Sequence, residues 1–404
     1  MADYSYLAVN DKGKQVKGTV DAPDSRAAMN LVRDRGLTVI KVTEATVLNK
    51  EIKIELHKKV KARDIAVFCR QMSSILDAGI SITEALDILA EQTEKKQLRE
   101  AVETTRDNVA KGELLSDAMH RAGSVFPSIL ISLVQTGEES GSIAYSFERM
   151  AVHFEKQAKL SGLVKKAMVY PAVILAVAFA AVMIMSIVVI PQFADLFDSM
   201  GAELPLITRA VMGFSSFVIH RWYILLILVI AIVGGLRYYL STDKGQHVWG
   251  RILLKIPVFG DLSTKNASAD FARTMSTLMS ADMPVTKGLE ITAAAMKNVL
   301  FRDVLLEVKK DVEQGQPMSN MLKETGIFPP MVGNMVRIGE EAGSVDAMLE
   351  KIADYYEDEV EMATEALTAV MEPLIIVVLG VVVGIIVLAI YMPMVSLYQN
   401  LDTL

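Results

Sequence analysis

Phe68-Cys69-Arg70-Gln71-Met72-Ser73 returns as Phe271-Ala272-Arg273-Thr274-Met275-Ser276, a shift of 203 positions. Farther on, Phe126-Pro127 returns as Phe328-Pro329, and Gly137-Glu138-Glu139-Ser140-Gly141-Ser142 as Gly339-Glu340-Glu341-Ala342-Gly343-Ser344, now shifted by 202. Each copy runs on into a proline-headed apolar stretch, 171–191 and 373–393, still 202 apart. A register that slips by one residue over more than 120 marks a duplication, with repeat units 68–191 and 271–393. Each repeated module feeds a stretch long enough to cross a bilayer.

Composition agrees with a membrane protein that also has large water-exposed parts. Hydrophobic residues make up 52% of the 404, yet 22% are charged. A charge at mid-bilayer costs ~2.5–3.5 kcal/mol or more, so the apolar residues must be segregated along the chain. The net charge of -7 offers no electrostatic footprint for nucleic acid. The single Cys69 excludes an internal disulfide and suits a reduced, cytosolic module. Met1-Ala2-Asp3-Tyr4 has neither a basic n-region nor an apolar h-region, so no cleavable signal is expected.

Three spans are expected. The first covers 167–191, within a charge-free run from Lys166 to Asp195. The second covers 221–240; its charge-free core, 222–236, is short, but Arg221 and Arg237 can snorkel and Trp222, Tyr223, Tyr238 and Tyr239 suit the interfaces. The third covers 372–397. Tyr170-Pro171 and Glu372-Pro373 stand where the first and third begin. Arg149, Lys156, Lys159, Lys165 and Lys166 precede the first span, and Arg237, Lys244, Arg251, Lys255 and Lys265 follow the second. The loop 192–220 between them holds only Arg209 before the bordering Arg221. The positive-inside rule therefore puts the N-terminus and both modules in the cytoplasm, and the loop and C-terminus outside. The approach to the third span, 354–372, resists this rule, being acidic with no basic residue.

The fold class is all-α and polytopic, with two repeated cytoplasmic helical-bundle modules at 61–166 and 241–371. A small α+β unit at 1–45 and a linker at 46–60 precede them. In the α+β unit, strand-like alternation at 4–9, 16–20 and 37–42 surrounds turn residues 10–13 and a helical segment, 25–35, before Gly36. In the first module Ile65, Phe68, Met72, Ile75 and Leu76 share a helix face, with Asp64 as expected N-cap and Gly79 past the end. Ser81-Ile82-Thr83-Glu84 reads as a capping box opening the next helix. Leu98, Val102 and Val109 mark a third helix ended by Gly112. A helix from Phe126-Pro127 is expected to stop at Gly137, and the last to run from Ser142 through Gly162 and Pro171 into the membrane.

The candidate functional residues are Gly137, Glu138, Glu139 and Gly141, with their repeat mates Gly339, Glu340, Glu341 and Gly343. One reading is architectural: glycines permit positive φ, and glutamates favour the positive N-terminal end of the helix that follows. The other is an acidic surface for a partner. A metal site from Glu138, Glu139 and His153 matches no recognised ligand spacing. Gly380 and Gly384 form a small-xxx-small motif that serves close helix packing, within one subunit or between two.

No catalytic constellation emerges. The chain has no Gly-x-x-x-x-Gly-Lys-[Ser/Thr] loop, no His-Glu-x-x-His and no Gly-x-Ser-x-Gly, so no enzyme activity, cofactor or metal is expected. A transporter or channel subunit, the alternative class, normally keeps polar groups or broken helices at mid-membrane, and these spans supply neither.

Lys166-Ala167-Met168-Val169-Tyr170-Pro171, Pro191-Gln192-Phe193, Gly201-Ala202-Glu203-Leu204-Pro205, Pro257-Val258-Phe259-Gly260, Phe271-Ala272-Arg273-Thr274 and both Gly-Glu-Glu-x-Gly turns carry a resemblance. In their order and spacing they resemble the inner-membrane platform protein of type IV pilus and type II secretion machines, the F or C component. The resemblance covers essentially the whole chain. It implies an oligomeric, non-enzymatic, multi-pass protein of the bacterial inner membrane. Such a protein contacts membrane lipid, a cytosolic assembly ATPase, pilin or pseudopilin subunits and other inner-membrane assembly proteins. The Pro191-Gln192-Phe193 and 201–205 segments lean towards the pilus. Asp282-Met283-Pro284 departs from the family, which has glycine where Gly79 stands in the first copy.

Overall fold

The computed structural model describes residues 2–9, 15–22, 24–33, 38–44, 60–189, 191–192 and 206–401. The expected turn at 10–13, Gly36, most of the linker and the 193–205 segment lie outside the described residues. The chain divides into two compact units, Met1–Lys58 and Lys59–Leu404.

The first unit holds β1 (Ala2–Val9), β2 (Gln15–Ala22), α1 (Ser25–Arg33) and β3 (Thr38–Glu44). The strands form an antiparallel sheet in the order β2-β1-β3, pairing Tyr4 with Val20 and with Glu44. Period-2 alternation puts Tyr4, Tyr6 and Ala8 on one face, where they bury against Val20, Ala22, Ala28 and Val32.

The second unit is helical. Its first module runs α2 (Ala62–Asp77), α3 (Ile82–Gln92), α4 (Lys96–Val109), α5 (Leu115–Arg121), α6 (Ser128–Ser140) and α7 (Ile143–Ile184). A π-helical turn, Met185–Val189, follows. Then come α8 (Leu206–Leu240) and α9 (Asp243–Lys255). The second module repeats the plan as α10 (Phe259–Met279), α11 (Val285–Ala295), α12 (Val299–Glu313), α13 (Met318–Glu324), α14 (Pro330–Ala342) and α15 (Val345–Leu401).

The repeated phenylalanines explain why the two copies fold alike. Phe68 meets Phe126 at 5.6 Å and Phe147 at 6.0 Å between ring centroids, and Phe271 meets Phe328 at 5.1 Å. The Phe68–Phe126 and Phe271–Phe328 pairs, with rings tilted by 39° and 44°, pin the first helix of each module to the start of its fifth. The modules also share packing, since Leu278, Met283 and Ile291 of the second complete the core of the first.

Local chemistry departs from expectation in two places. Lys61, not Asp64, precedes α2; Asp64 sits one turn in, and its carboxylate accepts the Lys61 backbone N–H at 2.7 Å. Ser81 does cap α3, its hydroxyl accepting the Glu84 N–H at 3.3 Å. Gly137 does not end α6. The helix runs on to Ser140 and ends at Gly141, with φ 73°. Ser142 N–H bonds the Gly137 carbonyl at 2.7 Å and Gly141 N–H that of Glu138 at 3.4 Å, a Schellman motif. Gly343, φ 66°, ends α14 in the same way. Asp282 carries the positive φ, 59°, that Gly79 carries at 82° in the first copy. The departure from glycine thus leaves the turn intact at the cost of a side chain in the left-handed region.

Two helices leave the modules without a break. At 1.5 Å per residue, the 42 residues of α7 span about 63 Å and the 57 of α15 about 85 Å, two to three times a hydrocarbon core. Both pass through a proline, Pro171 and Pro373, and both are long and apolar enough to cross a membrane. The middle span differs from the expected form. The segment 192–220, expected as a loop, is helical from Leu206, and α8 is kinked at Arg221, where φ is -124° and ψ 23°. Beyond the kink, Leu226–Leu240 qualifies as a span only together with α9, from which it is bent by 100°.

Candidate functional site

The paired glutamates lie in the last turn of α6 and of α14, so they do not stabilise the start of the helix that follows. The first of each pair reaches back to a short helix more than 20 residues upstream. Glu138 accepts the Leu115 N–H at 2.5 Å, the Ser116 N–H at 3.0 Å and the Ser116 hydroxyl at 2.5 Å. Glu340 accepts the Met318 N–H at 2.7 Å and the Ser319 hydroxyl at 2.5 Å. Leu114 and Pro317, which precede α5 and α13, have no side chain able to cap. The glutamate supplies the missing acceptor for the orphan N–H groups, and its charge suits the positive end of the helix dipole. Neither the upstream partner nor the capping role is legible locally, because the contact is tertiary.

The second glutamate of each pair points out. Glu139 and Glu341 are exposed and touch only their own helices, Gln135 at 3.2 Å and Arg337 at 2.5 Å. Gly137 and Gly339 are buried where α6 meets α7 and α14 meets α15. A Cβ on Gly137 would lie 2.3 Å from the Ser146 hydroxyl, and one on Gly339 2.9 Å from the Val345 Cα. The four residues of each motif thus divide into a close-packing glycine, a helix cap, an exposed acid and a terminating glycine. The suggested metal site dissolves: Glu138 is committed to α5, and His153 is buried edge-on against Phe154. Among the described residues no three His, Cys, Asp or Glu are grouped to hold an ion.

A second repeated constellation was not singled out from the sequence. Arg70 donates to Glu155 through two bonds of 3.0 and 2.9 Å. Its repeat mate Arg273 donates to Glu357 at 2.7 Å and also to Asp354. The first pair is 41% and 49% exposed, the second only 10% and 9%, because α7 lies over it. Lys156 of α7 reaches Glu357 at 2.9 Å, and Lys159 reaches Glu361 at 3.0 Å. Lys159 and Glu361 are 202 apart, which makes them the same position in the two repeats. Equivalent residues touch only on a two-fold axis, so α7 and α15 cross about a pseudo-two-fold. The acidic approach to the third span now has its counter-charges in the lysines of α7, with Lys265 of α10 on Glu359 at 2.9 Å. His153 lies in the same region. Burial first, and the Arg273 charge second, push its imidazole down to about 4. Buried Cys69 has its thiol pushed up by desolvation, so it is not a reactive thiolate.

A Cβ built on Gly380 or Gly384 would meet none of the described residues of neighbouring elements within 4 Å. Tyr170, Glu372 and Pro373 are exposed, and Pro171 is buried.

Two repeated helical bundles, joined to each other by an ionic seam and each continued by a helix long and apolar enough to cross a membrane, define the class of protein. The profile of the type II secretion system protein F family matches residues 68–191 and again 271–393, and the profile of that family's N-terminal domain matches 1–43. The chain belongs to that family. It is 36% identical over 405 residues to the type IV pilus assembly protein PilC of Thermus thermophilus, covering 100% of both chains. It is 36% identical over 395 residues to the type IV pilus assembly protein TapC of Aeromonas hydrophila, covering 98% of this chain and 95% of that one. The type II secretion system protein F of Aeromonas hydrophila is 33% identical over 385 residues, with 93% and 98% covered.

Proposed function

We propose that this chain is the inner-membrane platform of a filament-assembly machine, without enzymatic activity of its own, and that the machine is a type IV pilus rather than a secretion system. It couples a cytosolic assembly ATPase to the lifting of pilin subunits, and it works as a homo-oligomer. The observation that carries this reading is the continuity of α7 and α15. Each starts in a module, at Ile143 and Val345, and runs unbroken into an apolar stretch, so a push on the module is a push on the membrane helix. In this reading three spans, 167–191, 221–240 and 372–397, hold both modules and the N-terminal unit in the cytoplasm. The exposed Glu139 and Glu341 form the acidic contact for a partner, and the same charges on both modules suit a partner with repeated basic surfaces. The test is Glu139→Gln with Glu341→Gln in the producing cell. Filaments should be lost while protein level stays normal; full piliation of the double variant would remove the contact from the proposal.

A further inference from the structure

Helix α9 presents two adjacent stripes to solvent. Val248, Trp249 and Ile252 are 43%, 46% and 47% exposed, and the exposed Ile256, Val258 and Phe259 extend this apolar stripe past the helix end. Beside it, Lys244, Arg251 and Lys255, spaced seven and four apart, form a cationic stripe with no ion pair among the described residues. The opposite face is fixed. Gly250 packs so closely on Asn298 that a Cβ would lie 2.6 Å from its side-chain oxygen, and His247 Nε2 lies 2.7 Å from Asp303. The helix is held rigidly with its amphipathic side outward.

Three residues earlier the apolar segment Leu226–Leu240 ends, and the bend between the two is 100°. A helix at that angle to a span tilted by about 20° runs nearly parallel to the membrane plane. Tyr238, at 77% exposure, and Tyr239 stand at the bend, where aromatic rings occupy the headgroup level. An exposed apolar stripe flanked by cations, joined to a span, is what an interfacial helix requires.

We infer that α9 lies in the headgroup zone of the cytoplasmic leaflet, its Val248, Trp249, Ile252 stripe sunk between lipids and Lys244, Arg251 and Lys255 on anionic headgroup phosphates. The inference rests on reading Leu226–Leu240 as membrane-crossing. Anchoring there ties the first helix of the second module, α10, to the bilayer surface through one short turn.

The full chain with Trp222→Phe leaves Trp249 as the single tryptophan. It is reconstituted in nanodiscs of phosphatidylcholine with or without phosphatidylglycerol, carrying bromine near the headgroup or near the chain end. Shallow bromine should reduce Trp249 emission roughly twofold, deep bromine little, and aqueous acrylamide should quench weakly. The shallow quenching should be stronger in anionic discs, and K244Q/R251Q/K255Q should abolish that difference. Free access of acrylamide with no bromine effect overturns the inference. So does protection from acrylamide without bromine quenching, which marks a protein neighbour such as a second copy. A triple variant as sensitive to anionic lipid as the parent overturns the headgroup contact. Ile232→Trp in a background lacking Trp222 and Trp249 separates the premises. Quenching there by deep bromine, with none at Trp249, leaves the span and defeats only the interfacial helix; no quenching at position 232 defeats both.

Discussion

Glu138 and Glu139 are neighbours in sequence and do different work. Glu138 closes the open end of α5 with three bonds, whereas Glu139 meets only Gln135 of its own helix. Glu138→Gln places an amide NH2 against backbone donors and removes the charge, so it should destabilise the chain by about 1–3 kcal/mol. Glu139→Gln should change stability by no more than about 0.5 kcal/mol, both read from denaturation in detergent. Equal losses for the two would contradict the division of roles. His153 makes a second residue-scale prediction. Its folded value of about 4 lies below the ordinary ~6.5, so between these values the unfolded chain binds more protons. Its contribution is complete above pH 6.5 and fades as pH falls towards 4, about 2 kcal/mol being lost by pH 5. Replacing His153 with Leu should flatten that part of the pH–stability profile; an unchanged slope would assign it to carboxylates instead.

At the scale of elements, the repeat offers one interaction in two environments. Arg70 with Glu155 is solvated, and Arg273 with Glu357 is sealed beneath α7. Exposed pairs contribute ~0–1 kcal/mol, while removing one partner of a buried pair costs about 3–5 kcal/mol, a loss that Lys156 on Glu357 reduces here without abolishing. Arg70→Ala should therefore be mild and Arg273→Ala severe, in the same thermal assay. Similar effects would mean that α7 does not cover the second site in solution. Sequence periodicity shows which faces of α2 and α4 turn inward, because apolar spacing of 3.6 is a local property. It could not show that Glu138 serves α5, that Lys159 finds Glu361, or which glycine of the repeated motif ends its helix. Gly137 and Gly141 are chemically alike, yet in the fold the first packs closely on Ser146 inside α6 and the second ends the helix at φ 73°. The helix from Leu206 to the Arg221 kink is not legible for a related reason: a mainly apolar stretch with few charges has no contrast from which to read a period.

Over the whole molecule, the seam between α7 and α15 gives the acidic stretch 354–372 its counter-charges. Orientation is decided by Lys and Arg near the span ends, and Asp and Glu count for little. The acids before the third span are therefore no argument for placing that end outside. In the folded chain they are taken up by Lys156, Lys159 and Lys265. A duplication that began with like residues facing each other across a two-fold would set equal charges in contact, and Lys159 against Glu361 is the form in which such a contact attracts. The topology this implies is open to direct measurement. Native Cys69 is buried and should not label, so single cysteines can be introduced without removing it. A membrane-impermeant maleimide added to spheroplasts should reach a cysteine at Ser215, and should reach cysteines at Thr93 and Lys297 only after the membrane is opened. If Lys297 labels from outside, the two modules cannot share one compartment. The ionic seam that joins them here would then have to form across a bilayer, which its 3 Å contacts forbid.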